Sequence, residues 1–451
     1  MDLAEENNKL KIENEILKDR IKQLEDLLVH DPHTGLPIRR LMEKRLRELI
    51  AEAGKTGEKI GFGILRLDRH YARIRHTRDK MKVFLYMTGV RVKSIIGEDN
   101  LYQSDRLDEF LMVIRHVKNR EHLQAIAGEI SAVIQQPHEP PASDVSFGCH
   151  IGMTMFPDHG SSVTELMVNA EIALGIYETR KEQGFVYTPE IGNQYHENIN
   201  IEAELYEAVR KGLDGFHAVY QPIVDKDLKT VACEALIRWN STQFGSIPPD
   251  RFIPIAEDNG KITIIGRWML YNALRQIKHW KESTGIDISV SVNMSPIQLQ
   301  THDFVDSVKE ALHSLGLPGA NLFLEVTEST LMDDPSTVIR KFEEFQEMGI
   351  DILLDDFGTG YSSLEYLSRL PIDTLKIAKP FVDNMGQNPK SMEIIKTIIA
   401  MSKNFGFKTL AEGVETKEQL DVLLELGCEY IQGYIVSPPV DAVEFEDRFI
   451  K

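Results

Sequence analysis

Three rhythms of apolar and polar positions follow one another along this chain. Over residues 1–29, Leu3, Leu10, Leu17 and Leu24 recur every seven residues, with Asn7, Asn14, Ile21 and Leu28 in the second seam position. Leu in one seam and Asn in the other predict a parallel two-stranded coiled coil, because a buried Asn pairs best with its own copy in register. A single amphipathic helix docked on its own domain is the other reading of that pattern. Over 30–190 helical and strand periods alternate. His30–Arg40 reads as a turn entering a helix, 60–67, 110–114 and 144–155 as strands, and 162–183 as an amphipathic helix. That alternation predicts an α/β or α+β sandwich.

From about residue 200 to 451 the rhythm changes again. Strand-like runs fall at 216–224, 232–239, 287–294, 321–327, 351–356, 374–379, 408–413 and 430–436. Apolar helical periods separate most of them, at 265–280, 304–315, 337–348 and 391–405. Eight strands alternating with helices in about 250 residues predict an α/β fold of the TIM-barrel type.

Polar residues obey the corresponding rule. Glu234, Asn293, Glu325, Asp355, Lys376, Glu412 and Gln432 each lie on a different predicted strand, mostly near its carboxyl end. Parity supports a shared direction. Ser289, Ser291 and Asn293 share one face of their strand, as do Phe323, Glu325 and Thr327, and Ala232, Glu234, Leu236 and Arg238. Polar groups converging on one barrel mouth predict a site. The run Ile352–Leu354 ends in the pair Asp355-Asp356 followed by Gly358 and Gly360. Adjacent side chains on a strand point to opposite faces, so both carboxylates serve one site only if the backbone turns there, which the glycines permit. The pair then needs compensation, most simply a divalent cation. An N-cap Asp beside a solvated Asp is the plainer alternative.

Composition narrows the chemistry. The chain has 451 residues, 42% apolar and 27% charged, with a net charge of −19. That charge argues against general nucleic-acid binding, which relies on cationic surface. Cys149, Cys233 and Cys428 are isolated, so neither a disulfide framework nor a structural zinc site is expected. No membrane segment is read in the sequence, and the expected location is cytoplasmic. Four carboxylates with one amide oxygen, and no paired histidines or thiolates, are hard ligands suited to Mg²⁺ or Mn²⁺. Two such ions bridged by one carboxylate can activate a water and stabilise a departing alkoxide in phosphodiester cleavage. Lys376 could hold that water, and Arg238 could clamp a phosphate.

These residues sit in ordered motifs: Tyr220-Gln-Pro-Ile223, Glu234-Ala-Leu236 with Arg238, Ser291-Val-Asn293, Glu325-Val-Thr-Glu-Ser329, Asp355-Asp-Phe-Gly-Thr-Gly-Tyr-Ser-Ser363, Leu375-Lys-Ile377, Ala411-Glu-Gly-Val-Glu-Thr416 and Gln432-Gly-Tyr434. Through them, residues 200–451 resemble the EAL domain, the barrel phosphodiesterase that linearises the bacterial messenger cyclic di-GMP. The resemblance implies that Glu234, Asn293, Glu325 and Asp355 hold one Mg²⁺ or Mn²⁺. It implies that Asp355, Asp356 and Glu412 surround a second, the last directly or through water. Lys376 would orient the attacking water and Gln432 would order the site. Glu328 would anchor the loop from Asp356 to Ser363, with Glu415 in support. Gln221, Leu236 and Arg238 would line the substrate site. One position departs: the family usually reads Lys-Ile-Asp where this chain has Lys376-Ile377-Ala378.

Residues 30–190 resemble the GGDEF domain, the diguanylate cyclase fold, through Asp31-Pro-His-Thr-Gly-Leu-Pro37, Asp108-Glu-Phe110 and Gly148-Cys-His-Ile-Gly152 with Phe156-Pro157. Its signature is broken. Arg106 and Leu107 stand where two glycines let the backbone approach GTP. Arg66 stands where the family has its first metal-binding Asp, and Ile74 falls near its guanine-reading Asn. Residues 97–100 lack the RxxD inhibitory site. The expectation is a regulatory module without cyclase chemistry. Six cations between Arg66 and Lys80 read as a solvated helix face, with an acidic partner or a nucleotide as the sharper alternative.

The function expected is therefore metal-dependent hydrolysis of cyclic di-GMP to linear pGpG by a chain that forms a homodimer through its N-terminal coiled coil. A cyclic di-GMP receptor without turnover, motivated by Ala378, and a scaffold that binds no nucleotide are the alternatives.

Overall fold

The computed structural model describes residues 29–68, 78–136, 148–180, 185–328, 335–358, 367 and 369–451. The heptad segment, most of the Arg66–Lys80 run and the loop after Gly358 lie outside these residues. So does the side chain of Asp356. The chain divides into two compact units, 1–199 and 200–451.

In the first unit the strands are β1 (Ile60–Leu67), β2 (Leu101–Gln103), β3 (Glu109–Ile114), β4 (Cys149–Phe156) and β5 (Phe185–Val186), in the order β2-β3-β1-β4-β5. Alternation along β1 explains the two layers. Ile60, Phe62 and Ile64 pack with Met42, Leu46 and Leu166 on one face. Leu65 and Leu67 pack with Phe84, Leu123 and Ile130 on the other. The sandwich expected from the sequence is present, with helices including Arg39–Thr56 and Arg120–Ile134.

The second unit opens with β6 (Phe216–Asp225) and β7 (Thr230–Ser241), paired as an antiparallel hairpin. Asp225 makes the turn: its Oδ1 accepts from the backbone N–H of Asp227 and Lys229, at 2.9 and 3.0 Å. Then come β8 (Gly245–Ile247), β9 (Ser289–Asn293), β10 (Leu322–Thr327), β11 (Asp351–Phe357), β12 (Thr374–Ile377), β13 (Lys408–Ala411) and β14 (Tyr430–Ile431). Strands β7 and β9 to β14 run parallel, and β6 closes the ring antiparallel to both β7 and β14. The result is a closed eight-stranded TIM-type barrel with β8 appended to β7. Because only β6 is reversed, the carboxyl ends of the other seven strands share one rim.

Outward residues such as Val290, Val292, Leu324, Val326, Ile352 and Leu354 pack under the surrounding helices. These include Ile262–Thr284, Phe304–Leu315, Pro335–Glu347 and Pro389–Phe405, close to the helical periods read from the sequence. Three strands stop sooner than their apolar runs. After Ile377 the chain enters the helix Lys379–Asn384, and after Ala411 and Ile431 it reaches Gly413 and Gly433. The short β8 has no counterpart among the expected strands. Among the described residues, no helix is long and apolar enough to cross a membrane.

All three cysteines are buried and free. Burial pushes the Cys149 thiol up to about 12 and that of Cys428 to about 11, and holds Cys233 well above its usual value. The reactive thiolate is thereby suppressed at each. A chromogenic disulfide reagent at pH 8 should detect no thiol in the folded chain and all three after denaturation. Rapid reaction of any one of them in the native state would contradict this packing.

Candidate active site

The site is a second storey built on an apolar floor. Inside the barrel, Ile223, Ala232, Leu353 and Leu410 form a small buried cluster, with Phe323 and Tyr430 against it. A strand returns to the same face every second residue. Two residues beyond these floor positions, toward the rim, stand Gln221, Glu234, Asp355, Glu412, Glu325 and Gln432. The strand before β10 obeys the same rule, with Ser291 two beyond Ser289 and Asn293 two beyond Ser291. Register aligns them: Gln221 lies opposite Glu234, Glu234 opposite Ser291, and Glu325 opposite Asn293.

Hydrogen bonds join the storey around its circumference. Asn293 Nδ2 donates to Glu234 Oε1 at 2.6 Å. Gln432 Nε2 donates to Glu234 Oε2 at 2.6 Å and to Gln221 Oε1 at 3.0 Å, and Gln221 Nε2 donates to the Ser437 carbonyl at 3.1 Å. Ser291 Oγ donates to Glu325 Oε1 at 2.5 Å. The Lys376 ammonium is paired with Glu325 Oε2, with Glu412 Oε1 at 2.5 Å and with Asp355 Oδ2 at 3.4 Å. Ligand atoms of Glu234, Glu325 and Glu412 lie within 4.8 Å of one another.

Charge at this point is unbalanced. Lys376 is wholly buried and Glu325 is 1% exposed, yet four carboxylates face one ammonium. Burial alone would lower the Lys376 ammonium, but Glu325, Glu412, Glu234 and Asp355 outweigh it and hold it well above its usual value. Burial, reinforced by Glu234, holds Glu325 well above the carboxylate range despite Lys376. Burial likewise raises Glu412 to about 7, with Lys376 opposing and Asp355 and Glu234 adding to it. Buried negative charge beyond what one lysine neutralises, carried on hard oxygen donors, fits a divalent cation of the Mg²⁺ class.

Around Asp355 the ladder between β11 and β12 shifts between Leu354 and Phe357. Such an irregularity breaks strict alternation where the Asp355-Asp356 pair falls. Gly358 follows with φ 92°, in the left-handed region. The Glu328 carboxylate is buried, 5% exposed, and accepts no hydrogen bond from a described residue. Leu236 and Arg238 follow Glu234 at period two and are half-buried, with Arg238 Nη1 donating to the Ile237 carbonyl at 2.8 Å.

Glu415 lies outside the buried cluster: it is exposed and bound to Lys379 Nζ at 2.6 Å, because the chain turns through Gly413 after Glu412. Ala378 is fully buried and follows β12 directly, as the N-cap of the helix Lys379–Asn384. Sequence reasoning missed Ser291 as a partner of Glu325, although it had placed Ser291 on the face of Asn293. It also missed the ion pair between Lys379 and Glu415, which only the loop conformation brings together.

In the first unit, Arg66 and Arg106 are each paired with an acidic residue of the Asp108-Glu-Phe110 stretch. Arg66 Nε and Nη2 donate to Glu109 Oε2 at 3.1 and 2.9 Å, and Ser104 Oγ donates to Glu109 Oε1 at 2.6 Å. Arg106 binds both oxygens of Asp108 at 3.2 Å, and His150 Nε2 lies 2.7 Å from Asp68 Oδ1.

Comparison with known proteins agrees with this architecture. The EAL domain family matches residues 202–439, and the family "Diguanylate cyclase, GGDEF domain" matches 28–184. The bifunctional diguanylate cyclase/cyclic di-GMP phosphodiesterase MucR of Pseudomonas aeruginosa is 32% identical over 428 residues, 93% of this chain and 62% of that protein. The cyclic di-GMP phosphodiesterase PdeR of Escherichia coli is 30% identical over 430 residues, 93% of this chain and 64% of that one. The chain thus spans a little under two thirds of the length of these relatives. Among solved structures, the MucR phosphodiesterase in complex with c-di-GMP is 38% identical, covers 53% of this chain and 99% of its own, and superposes with a TM-score of 0.51. The S helix-GGDEF-EAL portion of Vibrio cholerae LapD covers 94% of this chain and 100% of its own at TM-score 0.64. At 18% identity that likeness speaks to the fold alone.

Proposed function

The chain belongs to the EAL domain family, with a GGDEF domain in tandem before it, and from that premise we propose that it is a metal-dependent phosphodiesterase opening cyclic di-GMP to linear pGpG. The observation that carries this reading is the convergence of Glu234, Glu325 and Glu412 within 4.8 Å on the rim of a closed barrel. Glu234, Asn293, Glu325 and Asp355 would hold one Mg²⁺ or Mn²⁺, and Asp355, Asp356 and Glu412 would surround a second. Such ions, when bound, make a bound water nucleophilic at neutral pH and stabilise the departing oxygen.

The residues of the chain do the rest. Lys376, held by three carboxylates, orients the attacking water. The water oxygen bonds to phosphorus and gives up a proton as one phosphodiester P–O bond breaks, and the leaving 3′-oxygen takes up a proton, so the two ends of pGpG are a phosphate and a hydroxyl. Gln432 fixes Glu234 and Gln221 together, so the metal side and the substrate side of the rim keep their spacing. Gln221, Leu236 and Arg238 line the substrate, with the Arg238 guanidinium available to a phosphate. Glu328, buried and accepting no hydrogen bond from a described residue, would serve the loop after Asp356, which lies outside the described residues.

The GGDEF domain in this proposal is a regulatory module without cyclase activity. Glu109, an acidic residue of its signature, is neutralised by Arg66 across the strands. An arginine donates and cannot ligate a metal. The whole protein would act as a homodimer through the heptads of its first 29 residues, with cyclic di-GMP as its small-molecule partner, in the cytoplasm.

Incubating the purified chain with cyclic di-GMP and Mg²⁺ or Mn²⁺ should yield pGpG, and no product under either metal would refute the enzyme. A receptor without turnover is favoured by one observation: Ala378, fully buried beside the site's lysine strand, offers no acceptor. The enzyme reading expects Ala378→Asp to change turnover by less than about tenfold. The receptor reading expects tight binding without turnover in the parent and cleavage only in Ala378→Asp.

A further inference from the structure

Glu412 belongs to the carboxylate cluster, yet it stands one residue beyond the end of β13. Its backbone N–H has a strand partner, the Ile377 carbonyl at 3.2 Å. The chain then leaves the barrel wall through Gly413, whose φ of 63° is left-handed. A carboxylate placed on such a turn keeps its position only if the turn itself is held. We infer that Lys379 is a positioning residue for Glu412, clamping the Glu412–Thr416 turn to the helix Lys379–Asn384. This deepens the reading of the barrel as a metal site and rests on it.

Three contacts make the clamp. The aliphatic stem of Lys379 fills the space beside Gly413, so a Cβ at 413 would run into Lys379 Cγ. The Lys379 ammonium reaches Glu415 Oε1 at 2.6 Å and Asp383 Oδ1 at 3.2 Å. Just beyond, Gln419 Oε1 accepts from the N–H groups of Glu415 and Thr416 at 2.8 and 2.9 Å, while its Nε2 donates to the Val382 carbonyl at 3.2 Å. The same short helix thus grips the turn at two points, Lys379 and Val382. That helix begins directly after β12, which carries Lys376, itself 2.5 Å from Glu412. The clamp therefore ties the turn carrying one site residue to the strand carrying another.

The Lys379 and Glu415 side chains are each nearly half exposed, 48% and 46%. An exposed ion pair adds little to global stability. Its removal should consequently show in the site out of proportion to the fold, which a merely structural role would not produce. Lys379→Met keeps most of the stem and deletes the charge. In the full chain without substrate, Mn²⁺ affinity measured by titration calorimetry should fall about three- to tenfold, a loss of the size that outer supports of metal ligands give. The thermal midpoint of the metal-free protein should move by no more than about 2 °C. Glu415→Gln should give the same loss, and the double variant no further loss, because both remove one interaction. Lys379→Arg should restore binding to within about twofold of the parent. Parent-like Mn²⁺ affinity in both Lys379→Met and Glu415→Gln would overturn the clamp, as would a parent chain that binds no Mn²⁺. A parent that binds Mn²⁺ but never cleaves cyclic di-GMP would sink the proposed enzyme and leave the clamp to be judged on the binding arm.

Discussion

Glu325→Gln is expected to lower cleavage of cyclic di-GMP by about a thousandfold or more while leaving the barrel folded. Glu325 is central on β10, 1% exposed, and accepts from Ser291 and the Lys376 ammonium. An amide of the same shape offers one oxygen and one NH₂ group. If the oxygen keeps Lys376, the NH₂ faces Ser291 and the rim, where a hard cation needs an oxygen donor. Loss of a buried ion-pair partner usually destabilises by about 3–5 kcal/mol. Here the arithmetic differs, because four carboxylates surround one ammonium and Glu412 and Asp355 still hold it. Burial already holds Glu325 well above the carboxylate range, so the fold gains little from its charge. Without metal, the thermal midpoint should be unchanged or higher. Kinetic assay and thermal melts on the same preparation check both halves. Retained turnover would remove Glu325 from the metal site, and a collapsed fold would show that its role is structural.

Much of this site was legible in the sequence, for a physical reason. Alternation places Glu234, Glu325 and Asp355 two residues past apolar floor positions on their own strands. A charge following an apolar partner at period two is visible in one dimension. Glu412 and Gln432 were found by the same rule, although their strands stop at Ala411 and Ile431. Alternation persists for one step beyond the last strand residue and then fails, as at Glu415, which lies past a left-handed glycine and meets Lys379.

Other features left no local trace. Ser291 reads as an ordinary strand residue until register brings β9 beside β10 and its hydroxyl meets Glu325. The antiparallel closure by β6 depends on pairing with β14, some two hundred residues away, which no periodicity encodes. Strand β8 is three residues long and begins with Gly245, below the length at which a pattern forms. In the first unit the family resemblance set Arg66 at the place of a carboxylate. Only the register of β1 against β3 shows that its charge is met by Glu109.

The largest loss of stability is expected from Lys376→Met in the metal-free chain, about 3–5 kcal/mol. The substitution preserves an unbranched stem in a fully buried place but leaves Glu234, Asp355 and Glu412, beside a Glu325 that burial already holds well above the carboxylate range, with no cation among them. Uncompensated negative charge in a dry site is costly, and the carboxylates can escape it only by taking up protons or a metal. Mn²⁺ should therefore stabilise the variant more than the parent, since in the parent the ion competes with the charge of a resident ammonium. A ligand that binds only the folded state adds about 2.7 kcal/mol at a hundred times its dissociation constant, so the difference is measurable by thermal melts with and without the ion. Turnover should still fall by about a hundredfold or more at saturating Mn²⁺, because the metal restores charge balance but not the donor that orients the water. A variant as stable as the parent without metal would mean that the Lys376 ammonium offsets no charge in this cluster. Equal stabilisation of both proteins by Mn²⁺ would mean that ion and ammonium do not answer to the same cluster of charge.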